Sequence, residues 1–400
     1  MACLVKAPDA AGKGCVSFTT PERDYFIRKD AAILTLVESL KSRYFIGLHH
    51  NAHDYEFSYD PLFDFSMAGD GDLIEREGRP FDRVPLDCCN FVPACFEPRP
   101  GGEKFWDVLS TSRAVFFKGL PEFFQAIRTI YDSGRLIRVL HLCPVPPANK
   151  EGTNLHDIRQ RFEAMFSSEE RRFFNLITME WDNPFPLDLE TLAFFYRASR
   201  IYVHSAPHER RARAGAYAWA TGMPMVCREN IASILPEQLR RPPFLFEYDQ
   251  PAQMSDAILA ALDNKIDDPE WKAVADEFSI GPSTQRLEAA LRELAARRGE
   301  VLSGQQIHSL GFDIRLGRHH GIGGGTNQVD QPLGEFCRLL QSMSDAELAR
   351  IAAGREPELE MASLTGVAAV KTQPSVTPPE PNPGLRGFKT GLRRLLSRGS

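Results

Sequence analysis

The feature that most constrains this chain is a regular alternation of strand-like and helix-like segments between about residues 105 and 265. The strand-like segments are almost continuously apolar, as in "RLIRVLHLCPV" and "RIYVHSA", whereas segments such as "LPEFFQAIRTIYDSG" have helical spacing. Strands that are apolar throughout are typical of a parallel sheet covered by helices on both faces. The sequence therefore predicts an α/β fold with a doubly wound parallel-sheet domain at residues 89–265.

A smaller α/β segment precedes this domain. "CVSFTT" and "YFIGLHH" have strand character on either side of the helical pattern "DAAILTLVESLKS", and residues 54–87 are expected to be irregular. This predicts a reduced N-terminal α/β domain at residues 1–88. Helices and a Gly-rich loop are expected at residues 266–355. Either the N-terminal domain is small, or residues 300–355 complete it.

The C-terminal part is expected to contain a Pro-rich linker at residues 356–384 and a basic amphipathic tail at residues 385–400. The tail residues predicted to contact a membrane are Phe388, Lys389, Leu392, Arg393, Arg394, Leu395 and Leu396. Apolar residues and cations in this pattern favour an anionic membrane surface. A disordered basic tail or a protein-docking segment is the alternative.

Bulk properties exclude some function classes. The net charge of −6 argues against a nucleic-acid partner, because nucleic-acid-binding domains are usually basic. No secretory signal and no apolar run of about 18 residues are found, so we expect a cytoplasmic location, with peripheral attachment at the inner face of the cytoplasmic membrane. The eight cysteines lack C-x-x-C spacing, as expected of buried, reduced thiols.

Polar groups follow two of the predicted strands, where ligands of parallel sheets bind. Arg113, Lys118 and Gly119 come between the first of these strands and a helix, and Ser205, His208 and Glu209 follow the other. A helix N-terminus flanked by cations suits a diphosphate without a metal. Glu209 is then available to accept hydrogen bonds from sugar hydroxyls. An isolated cation or acid at such a position is often only a surface charge.

"LSTSRAVFFKGLPEFFQAI" has an Arg, four residues, and then Lys-Gly before a helix. "LETLAFFYRASRIYVHSAPHERRARAGAYAWATGMPMV" has a strand, Ser and Glu before a helix and a Gly-x-Pro strand, and "NFVPACF" precedes both. Over residues 90–265 the chain resembles the donor domain of family 4 retaining glycosyltransferases, which have the GT-B fold. The resemblance implies a nucleotide-sugar donor and no metal cofactor.

The resemblance also implies roles for individual residues. Arg113, Lys118 and Gly119 would bind the donor diphosphate, and Glu209 would contact the transferred sugar. Ser205 and His208 would line the nucleotide-sugar site. Tyr217 stands where the family has a second Glu that binds the ribose. His49 or His50 would line the cleft as a catalytic residue of the N-terminal side; ordinary loop histidines or, with His53, a metal site are the alternatives.

Other patterns carry weaker signals. Asp70 and Asp72 form a D-x-D pair that could bind a metal, although Asp-Gly is also ordinary turn chemistry. "AGKGC" lacks the features of a P-loop. "DIRLGRHHGIGGG", with Arg315, Arg318, His319 and His320, could close over a phosphate or be a structural or disordered loop.

The leading hypothesis is a metal-independent hexosyltransferase that uses a nucleotide-diphosphate sugar, retains the anomeric configuration and acts on a glycan or lipid-linked acceptor in polysaccharide biosynthesis. Tyr217 and the short N-terminal domain motivate a second hypothesis, a non-catalytic scaffold or partner subunit. A third is a metal-dependent transferase that uses Asp70 and Asp72.

Overall fold

A computed structural model gives the conformation of most of the chain. The chain divides into two units, Met1–Arg355 and Glu356–Ser400. The described residues are 2–49, 60–67, 82–86, 88–99, 102–144, 154–179, 188–207, 213–229, 240–264, 270–307 and 330–352.

The N-terminal sheet contains five strands that neighbour one another in chain order. The first pair is antiparallel and the remaining pairs are parallel. The strands are β1 (Cys3–Lys6), β2 (Gly14–Thr19), β3 (Tyr44–His49), β4 (Phe65–Met67) and β5 (Arg83–Val84). The β2–β3 connection contains α1 (Thr20–Glu22), a π-helical turn (Arg23–Ile27) and α2 (Ala31–Leu40). Asp30 begins α2 by accepting hydrogen bonds from the Ala32 and Ile33 amides.

Two strands occupy the segment predicted to be irregular, so that prediction is wrong for β4 and β5. These strands have three and two residues, which is too short to show a period-2 pattern. Their conformation is fixed by pairing, β4 on β3 and β5 on β4. β1, which pairs with β2, was not predicted from the sequence either.

Both faces of the N-terminal sheet are covered by helices from the distant C-terminal part of the unit. Leu287, Leu291 and Leu294 of α9 (Ile280–Arg297) pack in a cluster with Phe45 of β3. Leu333, Cys337 and Leu340 of helix Asp330–Ser342 pack in the cluster on the opposite face with Val16 and Ile46. The sheet is therefore a complete three-layer structure although its strands come from fewer than 90 residues.

Polar contacts fix these two helices to the sheet. Lys6 has no exposed surface, and its Nζ lies 2.7 Å from Glu288 Oε2 on α9. The Arg43 guanidinium donates to the main-chain carbonyls of Leu340 and Met343 and pairs with Asp345. A cation that donates to the last carbonyls of a helix satisfies acceptors that have no partner within the helix.

The second sheet contains six parallel strands in the order β11-β10-β9-β6-β7-β8. The strands are β6 (Trp106–Thr111), β7 (Val139–Pro144), β8 (Phe174–Met179), β9 (Ser199–Val203), β10 (Met225–Arg228) and β11 (Leu245–Tyr248). Three helices, α3 (Leu120–Asp132), α4 (Leu155–Met165) and α7 (Met254–Asp263), cover one face. The other face is covered by α5 (Leu189–Arg197), α6 (Arg213–Ala220) and α8 (Trp271–Phe278).

This strand order is that of a doubly wound sheet. Numbered within the sheet, the strands run 3-2-1-4-5-6, and the order reverses between β6 and β9. The structure confirms an α/β chain with one doubly wound parallel sheet, a smaller N-terminal α/β sheet and C-terminal helices.

Two helices, Asp330–Ser342 and Asp345–Ala352, follow one another closely near the end of the described residues. Ser344 lies between them, and its Oγ accepts from the Glu347 amide while the Glu347 carboxylate accepts from the Ser344 amide. This reciprocal arrangement is a capping box, which starts a new helix.

The tail predicted to contact a membrane, residues 385–400, lies outside the described residues. Within the described ranges, no helix is both long enough and apolar enough to cross a bilayer. Peripheral membrane attachment stays a prediction.

The Lys6–Glu288 pair yields a stability prediction. Glu288→Gln should lower the free energy of unfolding by about 3–5 kcal/mol, because it leaves the buried Lys6 ammonium without its carboxylate. Lys6→Met should cost less, since Glu288 is partly exposed and retains Arg292 at 2.5 Å. Urea denaturation followed by circular dichroism measures both losses. An equal or larger loss in Lys6→Met would contradict the assignment.

Candidate functional site

The candidate site lies where the strand order of the second sheet reverses. β6 and β9 are parallel neighbours, with Val108 opposite Ile201. From β6 the chain passes through α3 to β7 on one side, and from β9 it passes through α6 to β10 on the other. The two connections diverge, which leaves a crevice at the carboxyl ends of the two strands.

A tight turn after β6 forms one wall of this crevice. Phe116–Lys118 make one 3-10 turn, and Gly119 then adopts a left-handed conformation, with φ of 71°, before α3 begins. The Ser205 hydroxyl, which follows β9, donates to the Lys118 carbonyl at 2.8 Å. A Cβ on Gly119 would lie 2.1 Å from the Ser205 carbonyl oxygen. Only glycine satisfies both the backbone angle and this close approach.

A second residue fixes the same turn from the opposite side. Asn154 precedes α4; its Oδ1 accepts from the Phe116 amide at 3.2 Å and its own amide donates to the Ala114 carbonyl at 2.9 Å. The turn is therefore held between Ser205, which follows β9, and Asn154, which precedes α4. Its geometry does not depend on a bound ligand.

Two cations, Arg113 before the turn and Lys118 within it, lie in the same connection as the N-terminus of α3. Arg113 is exposed and forms no ion pair with any described residue. Lys118 is largely buried, with its Nζ 5.7 Å from the centre of the Phe117 ring. In the first turn of α3 the Leu120 and Glu122 amides have no intrahelical partner and carry partial positive charge, whereas Pro121 has no N–H. This arrangement can bind a phosphate or diphosphate group through two or more of its oxygens.

Beneath the turn lies a buried histidine. His141 of β7 has no exposed surface; its Nε2 lies 3.4 Å from Ser112 Oγ, and its ring centre is 5.7 Å from that of Phe123 on α3. Burial lowers the pKa of His141 to about 3, so the imidazole is neutral at pH 7. Nδ1 has no hydrogen-bond partner in the described part of the chain.

Tyr217 lies in the hydrophobic core of the second sheet. Its ring stacks on Phe96, with centroids 4.1 Å apart and an interplanar angle of 17°, and meets Tyr196 edge-on at 5.9 Å. Packing in this cluster accounts for an aromatic residue at the position. Nucleotide binding by Tyr217 stays a prediction.

His49 ends β3, at the carboxyl edge of the N-terminal sheet. Its side chain is almost fully buried, and neither ring nitrogen has a hydrogen-bond partner within the described ranges. The Thr20 hydroxyl donates to the His49 carbonyl at 3.3 Å, which ties β3 to the start of α1. The position suits a residue at the edge of a cleft, and the catalytic role predicted for His49 is not tested by this geometry.

The structure brings Lys118, Gly119 and Ser205 into contact at the carboxyl ends of β6 and β9, and Arg113 lies in the same connection after β6. Other predicted residues lie outside the described residues: Glu209, His208, His50, His53, Asp70, Asp72, Arg315, Arg318, His319 and His320. Their predicted roles stay predictions.

Three residues of the site were missed by sequence reasoning. Asn154 carried a signal, since Asn directly before a helical pattern is typical of a helix start. Ser112 stood beside Arg113 and was overlooked. His141, inside an apolar strand, gave no signal that separates it from an ordinary core residue.

Comparisons with known proteins gave matches among solved structures only; no family model and no curated protein matches the sequence. Pneumococcal O-GlcNAc transferase GtfA, solved with UDP and GlcNAc, is 12% identical with a TM-score of 0.43, over 64% of this chain and 54% of that chain. Trehalose 6-phosphate synthase from Burkholderia multivorans is 17% identical with a TM-score of 0.45, over 66% and 70%. A glycosyltransferase from Rickettsia africae is 11% identical with a TM-score of 0.46, over 68% and 82%. This chain thus spans about half the length of GtfA.

A pair of glycines tests the close contact at the turn. Gly119→Ala should lower the free energy of unfolding by about 2–5 kcal/mol, the sum of left-handed strain and overpacking against Ser205. Gly134→Ala is the matched control: Gly134 also has a positive φ, 85°, but nothing lies within 4 Å of its added Cβ. Its loss should be about 1–2 kcal/mol. Equal losses in urea denaturation would contradict the close approach.

The buried His141 predicts a pH dependence of stability. Its pKa is about 3 in the folded chain against 6.5 as the ordinary value, so the unfolded chain binds the proton more readily. The stabilisation is complete above pH 6.5 and is lost as the pH falls towards 3, by about 1.4 kcal/mol per pH unit. His141→Leu should lack this slope in urea titrations at pH 7, 6 and 5. Parallel pH dependences in the two proteins would refute the prediction.

Proposed function

We propose that this chain is a glycosyltransferase that moves a sugar from a nucleotide-diphosphate sugar to a glycan or lipid-linked acceptor, with retention and without a metal. The supporting observation is the crevice between β6 and β9, where the fixed turn presents Arg113, Lys118 and the N-terminus of α3. In doubly wound sheets this position binds nucleotides, and the cations and free amides select phosphate.

The proposed chemistry needs positive charge on the leaving-group side. Transfer breaks the bond between the anomeric carbon and the diphosphate, whose oxygens gain negative charge. Arg113, Lys118 and the first amides of α3 would stabilise this charge, and loss of one such donor costs about 2.7–4 kcal/mol of transition-state stabilisation. These groups supply the charge that a divalent cation provides in metal-dependent transferases. Their presence supports the metal-independent proposal.

The turn also fits a function that depends on fixed geometry. Electrostatic stabilisation is effective when the donors need no rearrangement during the reaction. Ser205, Asn154 and the conformation of Gly119 hold the turn without a ligand. Retention, the hexose donor and Glu209 as the contact to the sugar extend this proposal from the family resemblance.

A second candidate function is a non-catalytic glycosyltransferase-like scaffold. The observation that favours it is Tyr217, which stacks on Phe96 in the core at the position where the resembling family binds the ribose through a carboxylate. A scaffold would bind nucleotide weakly or not at all. It would release no nucleoside diphosphate from a sugar conjugate.

Calorimetric titration with UDP, GDP, ADP and their sugar conjugates tests the donor site. The wild-type chain should bind one nucleotide class, and Arg113→Ala should weaken that binding by about 10- to 100-fold, because it removes a charged hydrogen bond to phosphate. Arg172→Ala is the matched control. Arg172 is also exposed, but it lies before β8 at the opposite edge of the same sheet.

The outcomes separate the candidates. No binding by folded wild-type protein, or equal weakening by Arg113→Ala and Arg172→Ala, would refute the donor site. Binding together with release of nucleoside diphosphate supports a transferase, and binding without turnover in the presence of acceptor glycans supports the scaffold. Loss of turnover with a chelator would refute metal independence.

A further inference from the structure

Ser112 and His141 lie beside the proposed diphosphate site, next to Arg113. Ser112 follows β6 and precedes Arg113, and its amide donates to the Leu142 carbonyl at 3.1 Å. This bond fixes the Ser112 main chain against β7. The side chain is half-buried, and its described hydrogen-bond partner is His141 Nε2.

His141 is placed so that only one of its nitrogens reaches a partner. It projects from β7 to the face covered by α3, where Phe123 contacts its ring. Nε2 approaches Ser112 Oγ, and Nδ1 is buried without a partner among the residues that the structure describes. Since burial keeps the imidazole neutral, one nitrogen carries hydrogen and the other has a lone pair.

The buried Nδ1 decides which tautomer is preferred. Hydrogen on Nδ1 would leave a buried N–H without an acceptor, and orphaned buried N–H groups are rarer than under-satisfied acceptors. Hydrogen on Nε2 leaves only a lone pair unpartnered. Nε2–H then donates to Ser112 Oγ, so the Ser112 hydroxyl cannot donate back to that nitrogen. Its own hydrogen is directed elsewhere, at the carboxyl end of β6 beside Arg113.

We propose that the Ser112 hydroxyl is a further donor to an oxygen of the nucleoside diphosphate and that His141 is a positioning residue that orients it. The inference rests on the proposed donor site and adds to it a neutral hydrogen bond beside the two cations. A hydroxyl donor of fixed orientation would set the register of the diphosphate along the crevice, which diffuse positive charge alone does not do.

The neighbouring hydroxyl provides a matched control. Thr111 Oγ1 lies 3.0 Å from the Tyr202 hydroxyl on β9, so it is engaged between the two strands. Thr111→Val and Ser112→Ala each remove one hydroxyl from adjacent positions. Only the second should change diphosphate binding.

Calorimetry with the nucleoside diphosphate bound most tightly by the wild-type chain tests the proposal. Ser112→Ala should weaken binding about tenfold, as expected for a hydrogen bond to a charged oxygen. Thr111→Val should stay within about twofold of wild type, and circular dichroism should show that both variants are folded. Unchanged affinity in Ser112→Ala, with Arg113→Ala weakened, would refute the role of Ser112 and leave the donor site standing. Wild-type protein that binds no nucleotide would refute both.

A double-mutant cycle tests the positioning role of His141. His141→Leu should weaken binding several-fold alone but have no further effect in Ser112→Ala protein, because the two residues act as a unit. His141→Gln, whose amide nitrogen can reach the Nε2 position, should bind more tightly than His141→Leu. Additive effects of His141→Leu and Ser112→Ala would mean that His141 acts only on stability, and would refute the positioning role.

Discussion

The hydrogen bond from the Ser205 hydroxyl to the Lys118 carbonyl is the contact on which the candidate site depends. It joins the turn that follows β6 to the end of β9. The strand order of the sheet reverses between these two strands. Because Gly119 has no Cβ, its backbone can lie against the Ser205 carbonyl, and α3 begins close to the end of β9. The position of the Lys118 main chain relative to the end of β9 is thereby set by the short Ser205 side chain and a close main-chain approach rather than by long flexible side chains.

The N-terminal sheet depends on helices that are far from its strands in sequence. α9 and helix Asp330–Ser342 supply the apolar surfaces that its two faces need. Charged groups select the partners: Lys6 meets Glu288, and Arg43 meets the carbonyl end of the second helix. The buried Lys6 ammonium would be unstable without its carboxylate, so this contact favours one docking arrangement over others.

The sequence predicted the second sheet well because its strands are buried on both faces and read as apolar runs. It could not predict β4 and β5, whose few residues become strands only through pairing with β3. For the site, Arg113, Lys118, Gly119 and Ser205 were recognisable from their spacing. Ser112 and His141 were not, because their relation is a distance across two strands. For Tyr217, motif position predicts a nucleotide contact, which stays a prediction, and the structure adds a packing contact with Phe96 that the sequence did not indicate.

The hydrogen bonds that Arg43 donates to the end of helix Asp330–Ser342 have a consequence for the order in which the parts of the chain fold. β3 leaves the ribosome almost 300 residues before the carbonyl of Leu340 that Arg43 caps. At typical rates of translation this interval is about 15–60 s. During that time one apolar face of the N-terminal sheet is covered by α2 but not by helix Asp330–Ser342, while the second sheet and its six helices can already assemble. Synthesis therefore favours folding of the middle of the chain first, with chaperones as the natural protection for the strands that emerge earliest.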